Sequence, residues 1–300
     1  MEGRAVTPVI AVGVDGSPES RAAARWAADE AARRGLGLRL VHAWLWQPVA
    51  LPIAQDREEE ARRAEAVLHA AADEVAARHP ELGIVTEVVS DAPVTALLRE
   101  AEQAELLALG TRGHGPVLGF LLGSYGQQVI GEAPCPVVSV RAADAEQPDA
   151  GQGGGPGDVV VGQYGYPEDS HDVLGFAFEA AAARGAAVRA VRAWDLPSIY
   201  AYSPGSMWIS DQDGGLVQYE QAALRRALEP WREKYPEVPV VEHVELGSAG
   251  QVLLAAAEGS ASLLVVGRRT RKGPVGSRIG SVAHAVLHHA RCPVAVVPQS

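Results

Sequence analysis

The chain has 300 residues, 47% of them apolar and 21% charged, and its 37 acidic against 26 basic residues leave a formal charge of −11. That balance argues against a duplex nucleic acid or an anionic membrane as partner, because both require a net basic surface. It leaves room for one small phosphorylated ligand in a locally positive pocket, and the length suits two α/β cores without metal or disulfide staples.

The opening residues, Met-Glu-Gly-Arg-Ala-Val, carry no charged-then-apolar leader pattern. No apolar run reaches the roughly 18 residues of a membrane helix, so a cytoplasmic location is expected. The run from Val9 to Val14 is β-branched and does not alternate, which predicts a buried parallel strand. It ends in Asp15-Gly16-Ser17-Pro18, where Ser17 can cap a helix that starts at Pro18. Ala23, Trp26, Ala27 and Ala31 then share one helical face, small enough to lie close against a sheet. A second strand is predicted at Leu38 to Trp44 and a long helix at about Arg57 to Arg78, with the solvated run Glu58-Glu59-Glu60 in its first turn. A strand at Ile84 to Val89, a helix at Pro93 to Glu102 and a strand at Leu106 to Leu109 follow. A glycine-rich loop leads to a helix near Ser124 to Ile130 and a fifth strand at Val137 to Val140. This alternation predicts a doubly wound, mainly parallel five-stranded sheet with flanking helices.

Residues 142–157, AADAEQPDAGQGGGPG, have no apolar period and are read as a flexible linker between a domain at 1–141 and another at 158–300. After it the order repeats. Val159 to Val161 corresponds to the first strand, and Val191-Arg192-Ala193-Trp194 to Val41-His42-Ala43-Trp44. Gly267, Gly280 and Cys292 each lie 157 residues after Gly110, Gly123 and Cys135. Strands, glycines and cysteines in one shared register identify an internal duplication. The two cysteines, sparse and placed at strand starts, are read as small buried residues of a reducing compartment.

The segment that carries chemistry runs from Gly110 through Gly113 to Gly123 and Ser124, leaving a strand and entering a helix. Glycines at 110 and 113 permit positive φ and close approach of backbone to a ligand. Gly123 and Ser124 set N–H groups at a helix N-terminus, where the dipole favours an anion. In an open α/β sheet this places a phosphate cradle at the carboxyl ends of the strands.

The spacing Gly, two residues, Gly, nine residues, Gly-Ser resembles the nucleotide-binding signature of the universal stress protein family. Val12-Gly13-Val14-Asp15-Gly16-Ser17 resembles that family's opening strand and turn, and Ala133-Pro134-Cys135-Pro136-Val137 its closing strand. The resemblance spans nearly the whole chain as two tandem copies and implies the adenine-nucleotide alpha-hydrolase-like fold. It implies ATP, with magnesium, in the first domain. Val14 and Asp15 would lie beside the adenosine, the backbone of Val41 would face adenine, and Gly110 and Gly113 would line the ribose and first phosphate. Gly123, Ser124 and the N–H of Tyr125 would hold the outer phosphates. Tyr125, Gly126 and Glu132 depart from the family pattern, and Gly126 removes one hydroxyl donor. The resemblance also implies fifth strands paired between domains, so that Val137–Val140 and Val294–Val297 would make an internal pseudo-dimer, with homodimerisation of the whole chain left open.

In the second copy Thr270 replaces the second glycine and Tyr164 stands at the position of Asp15, while Gly267, Gly280 and Ser281 persist. This site is read as a degenerate relic, with a site for a different phosphorylated ligand as the alternative, and the basic residues Arg268, Arg269, Arg271, Lys272 and Arg278 as a solvated loop. Simpler structural roles compete elsewhere. Asp15 can cap its own turn, His114 can be a mobile surface residue, and Trp44 can pack at the sheet edge. His284 and His288 have metal-compatible spacing, but no third ligand is evident and no metal site is expected. The aromatic segment from Ile199 to Trp208 is open between lid, partner loop and cover.

No nucleophile elbow, P-loop lysine, zinc-protease motif or Cys-X-X-Cys is present, so efficient hydrolysis is not predicted. The expected function is a stress-response ATP-binding module, not an enzyme, in which nucleotide ordering of the 110–123 loop biases a surface seen by an unknown protein partner. A weak ATPase and a nucleotide-independent interaction scaffold are the alternatives.

Overall fold

The computed structural model describes residues 8–44, 57–111, 124–142, 156–195, 215–259, 261–269 and 279–299. They form two compact units. The first contains β1 (Val9–Gly13), α1 (Pro18–Arg34), β2 (Gly37–Ala43), α2 (Arg57–Arg78), β3 (Ile84–Val89), α3 (Pro93–Ala101), β4 (Leu106–Thr111), α4 (Ser124–Glu132) and β5 (Val137–Arg141). Its strands are ordered β3-β2-β1-β4-β5 and every pair is parallel. The second contains β6 (Asp158–Gly162), a short turn of 3-10 helix (Pro167–Ser170), α5 (His171–Arg184), β7 (Val188–Trp194), α6 (Gly215–Lys234) and β8 (Val240–Leu246). It continues with α7 (Ala249–Ala257), β9 (Ala261–Arg269), α8 (Ser281–His289) and β10 (Val294–Gln299). Its order, β8-β7-β6-β9-β10, repeats that of the first unit, again with parallel pairs. Each sheet reverses its winding next to its first strand, between β1 and β4 and between β6 and β9, which is where open α/β sheets leave a crevice for ligands.

The strand cores follow from the sequence pattern. Val9 to Val12 of β1 and Leu106 to Ala108 of β4 are buried, as a central strand covered on both faces requires. Burying each large aliphatic side chain contributes about 1.5–3 kcal/mol. The outer strands β3 and β8 instead expose Val85 and Val241. Arg39 of β2 is tied to Glu100 of α3 by a 2.9 Å ion pair, with the carboxylate buried.

Helix α1 begins as its sequence predicts. The Ser17 hydroxyl accepts the Ser20 N–H at 3.1 Å and Pro18 occupies the first turn. Gly35 closes the helix in the left-handed conformation, φ 65°, donating to the Ala31 and Ala32 carbonyls. Ala23, Trp26, Ala27 and Ala31 are all buried. This small-residue face brings the α1 backbone so near β4 that a Cβ at Gly110 would lie 2.4 Å from the Glu19 carbonyl carbon and 2.6 Å from the Ser20 nitrogen. Gly110 does not adopt positive φ. The positive φ that a glycine permits is not used there, and the missing side chain makes room for α1. At Gly267, its counterpart in β9, the nearest atoms to such a Cβ belong to the Gln299 side-chain amide, 2.7–2.8 Å away, which donates to the Asp169 carbonyl.

Three substitutions test these contacts. Gly110→Ala should destabilise the first unit by about 1–3 kcal/mol, because a backbone segment must retreat. Gly267→Ala should cost clearly less, since Gln299 can swing away, and urea denaturation of the two variants compares them. Glu100→Ala should cost about 3 kcal/mol in the same assay by leaving the Arg39 guanidinium without its buried carboxylate.

Candidate functional site

At the carboxyl rim of the first unit, β1 gives way to a tight turn. Val14, 3% exposed, donates its N–H to the Val41 carbonyl at 2.8 Å. Asp15 is exposed, and its carboxylate accepts the Ser17 N–H at 2.9 Å, so the turn-capping role is real. The Asp15 N–H in turn donates to the buried Ser20 hydroxyl at 3.3 Å. Gly16 completes the turn at φ +83°, a conformation that disfavours other residues. Ser20 fixes Asp15 without any recognisable motif in the sequence, and its only signal is a small polar residue on an otherwise apolar helix face.

The register of β2 turns Val41 away from the rim. Val41 pairs with Gly13, the last residue of β1, and turns its carbonyl onto the Val14 N–H. Its side chain is 1% exposed. Val41 therefore faces β1 and not the rim. Along a strand, successive residues direct their N–H and C=O to opposite sides. Trp44 donates its N–H to the Val89 carbonyl of β3 at 2.8 Å, so its neighbour Ala43 points both backbone groups the other way, past the end of β1. Ala43 is the rim residue that sequence inspection missed by two positions. His42, also unremarked in the sequence, places Nδ1 2.6 Å from the Val14 carbonyl oxygen. Trp44 is half-buried and donates its indole N–H to Glu60 of α2 at 3.2 Å, a packing role at the sheet end.

Across the crevice, β4 leaves the sheet through Gly110 and Thr111. The Thr111 hydroxyl donates to the Val140 carbonyl at 3.3 Å and accepts from Ser139 at 3.2 Å, which pins the strand exit. Ser124 is exposed at the first position of α4, and Tyr125 beside it is 63% exposed. The first turn of α4 carries no acidic residue. Gly126 is half-buried, and Glu132 at the helix end accepts from Gln128 at 3.3 Å. Gly113, His114 and Gly123 lie outside the described residues, as do Trp46 and the segment from Ile199 to Trp208.

The second unit builds the same turn but fills its rim with its own side chains. The Tyr164 N–H donates to the buried Ser170 hydroxyl at 3.2 Å, matching the Asp15–Ser20 contact. Arg192, at the position of His42, donates to the Gln163 side chain at 2.5 Å and to the Gly165 carbonyl at 2.9 Å. It also pairs with Glu220 of α6. The Arg269 guanidinium lies over the Tyr164 ring, 4.5 Å from its centroid. The reading of the basic run as a solvated loop is corrected for Arg268, 3% exposed within β9, whereas Arg269 at the end of that strand is exposed and lies over the Tyr164 ring. Thr270, Arg271, Lys272 and Arg278 lie outside the described residues. Gly280 caps α8 with extended backbone and has open space around its α carbon, and Ser281 begins that helix.

The remaining candidates have structural placements. Cys135 and Cys292 are buried thiols. His284 and His288 stack with ring centroids 4.2 Å apart on α8, and among the described residues no group of three or more metal-ligating side chains forms. No described helix is long and apolar enough to cross a membrane.

Comparison with known proteins agrees with this architecture. The model of the universal stress protein family matches twice, at residues 8–141 and 159–298. Universal stress protein Rv2005c of Mycobacterium tuberculosis is 36% identical over 299 residues, covering 97% of each chain. A universal stress protein of Mycolicibacterium smegmatis is 33% identical over 300 residues, covering 96% of each. Among solved structures, a universal stress protein from Archaeoglobus fulgidus shares the fold with a TM-score of 0.74 at 18% identity, over 97% of this chain and 98% of that one. Two matches of the family model in tandem, together with full-length relatives above 30% identity, lead to one conclusion: the chain belongs to the universal stress protein family.

Proposed function

We propose that the first unit binds one adenine nucleotide, ATP with magnesium, at the crevice between β1 and β4, and that the protein acts as a nucleotide-dependent regulatory or interaction module. The observation that carries this reading is the backbone edge of Ala43, which directs an N–H and a C=O past the end of β1. Adenine presents the complement, a ring nitrogen that accepts and an exocyclic amine that donates. Asp15, exposed at the adjoining turn, is placed for the ribose hydroxyls. The N-terminus of α4, with Ser124 and Tyr125, offers donors and a favourable dipole to the phosphates. Gly113 and Gly123 belong to the same proposed loop by sequence. Magnesium would ride on phosphate oxygens and water, its common mode, since the first turn of α4 supplies no carboxylate.

The second unit is read as holding no adenosine. Arg192, Gln163 and the Tyr164–Arg269 stack take up its rim with internal partners. Hydrolysis is not part of this reading. Occupancy of the first unit acts on partners to the extent that ATP binds one form of the protein better than another.

Denaturing the purified chain and quantifying released nucleotide by chromatography tests the proposal. About one adenine nucleotide per chain is expected. None after soaking in millimolar Mg-ATP overturns the nucleotide reading, and two per chain overturns the account of the second unit. Asp15→Ala should weaken ATP binding about tenfold, roughly the worth of one good hydrogen bond to a charged group. Asp15→Asn keeps the acceptor for the Ser17 N–H and separates ligand contact from turn stability in the same titration.

A further inference from the structure

We infer that the carboxyl rim of the second unit is a docking surface for a protein segment that carries arginine side chains. The inference concerns that unit alone and stands whether or not the first unit binds a nucleotide.

Three exposed tyrosines gather at this rim. Tyr164 and Tyr166 flank Gly165 on the turn that leaves β6, 49% and 73% exposed, and Tyr219 in the second turn of α6 is 57% exposed. Arg192 ties the two elements together. Its guanidinium donates to the Gly165 carbonyl at 2.9 Å and pairs with the Glu220 carboxylate at 2.5 Å. One side chain thus joins the residue before Tyr166 to the residue after Tyr219.

The fold does not require these rings. The first unit builds the same turn, with the same serine clasp and a left-handed glycine, from Asp15, Gly16 and Ser17. Beyond the ends of α6 and α2, Tyr235 donates to the Trp231 carbonyl as His79 donates to that of Val75, and in that alignment Arg63 stands where Tyr219 does. Polar and charged residues therefore serve the first rim at the positions that carry tyrosine in the second. Within its own turn Tyr166 is held by its backbone, whose N–H donates to the Asp169 carboxylate at 2.8 Å. The ring closes nothing, and exposed tyrosine is the side chain that binding surfaces favour.

Two observations set the chemistry of the occupant. The Arg269 guanidinium already lies over the Tyr164 ring, 4.5 Å from its centroid, so the chain itself seats this group at the rim. An aromatic face attracts cations, and the planar guanidinium stacks on it. Tyr166 and Tyr219 offer the same chemistry with more of their surface open. The surrounding charge has the complementary sign. Glu168 and Asp169, beside Tyr166, are exposed, and the whole chain carries −11. That field draws a cationic segment to the rim, where the rings and carboxylates hold it, and repels an acidic one.

The experiment uses the full chain and a fluorescein-labelled peptide of arginine, glycine and serine repeats, with a second peptide carrying glutamate in place of arginine. Anisotropy titrations should show binding of the arginine peptide and none of the glutamate peptide. Tyr166→Ala and Tyr219→Ala should each weaken the arginine peptide about two- to fivefold, and the double variant about tenfold. Tyr166→Phe, which keeps the ring, should stay near the wild type. None of these substitutions alters the charge of the chain, so the loss reads the rings and not a general attraction between acid and base. No binding of the arginine peptide at millimolar concentration overturns the inference, as does equal affinity for the wild type and the double alanine variant. Sedimentation velocity supplies a further check: self-association of the wild type that is lost in the double variant makes a second copy the occupant and overturns it as well.

Discussion

The contact between the first turn of α1 and the backbone of β4 governs the geometry of the first unit. A helix whose inner face is alanine can approach a sheet until backbone meets backbone, and at Gly110 it does so with no room for a single methyl group. That approach fixes where α1 starts, and its start fixes the turn before it. Ser20, one residue beyond the point of contact, holds the Asp15 N–H, and Ser17 holds the Ser20 N–H in return. The acidic group of the rim is therefore aimed by packing against the neighbouring strand. The polar rim depends on an apolar constraint.

The duplicated scaffold carries two different rims on one strand order. Both units make the same last ladder bond and the same serine clasp on the turn. They differ at the turn, where Asp15 stands against Tyr164, and at one position of the second strand, where His42 stands against Arg192. An imidazole there satisfies one carbonyl, while a guanidinium, with more donors and a longer reach, gathers the turn, a glutamine and a helix carboxylate into one network. Arginine also brings the charge that a half-buried carboxylate such as Glu220 pairs with, so the network is self-consistent without any ligand.

Much of this was legible in the sequence, because apolar runs and caps are local. The run of β-branched residues located β1, the Ser17-Pro18 pair located the start of α1, and α2 spans Arg57–Arg78 as its charge and apolar pattern imply. Register is not local. An apolar run shows that β2 exists, yet which of its residues bonds to β1 is settled by pairing in three dimensions, where the Val14 N–H takes the Val41 carbonyl. Choosing Val41 as the rim residue was a register error of two, the smallest slip that keeps a residue on the same side of a parallel strand. The part of Gly110 was hidden for a related reason: a glycine in a loop motif looks like room for a ligand, and nothing nearby in sequence shows that a helix ninety residues earlier already fills it. Arg268 looked solvated because its neighbours are basic, but strand alternation turns it inward.

The unequal surroundings of Gly110 and Gly267 bear on how such a duplicated chain can diverge over evolutionary time. At 110 the helix backbone polices the position whether or not a nucleotide is ever bound, so the residue is shielded from drift even if the pocket beside it falls out of use. At 267 the nearest neighbour is a glutamine amide held by one hydrogen bond, so replacing the glycine costs a side-chain contact and no backbone segment has to move. Retention of the first glycine among descendants would thus record a helix resting on a strand, and retention of the second would be the more informative fossil of a former ligand.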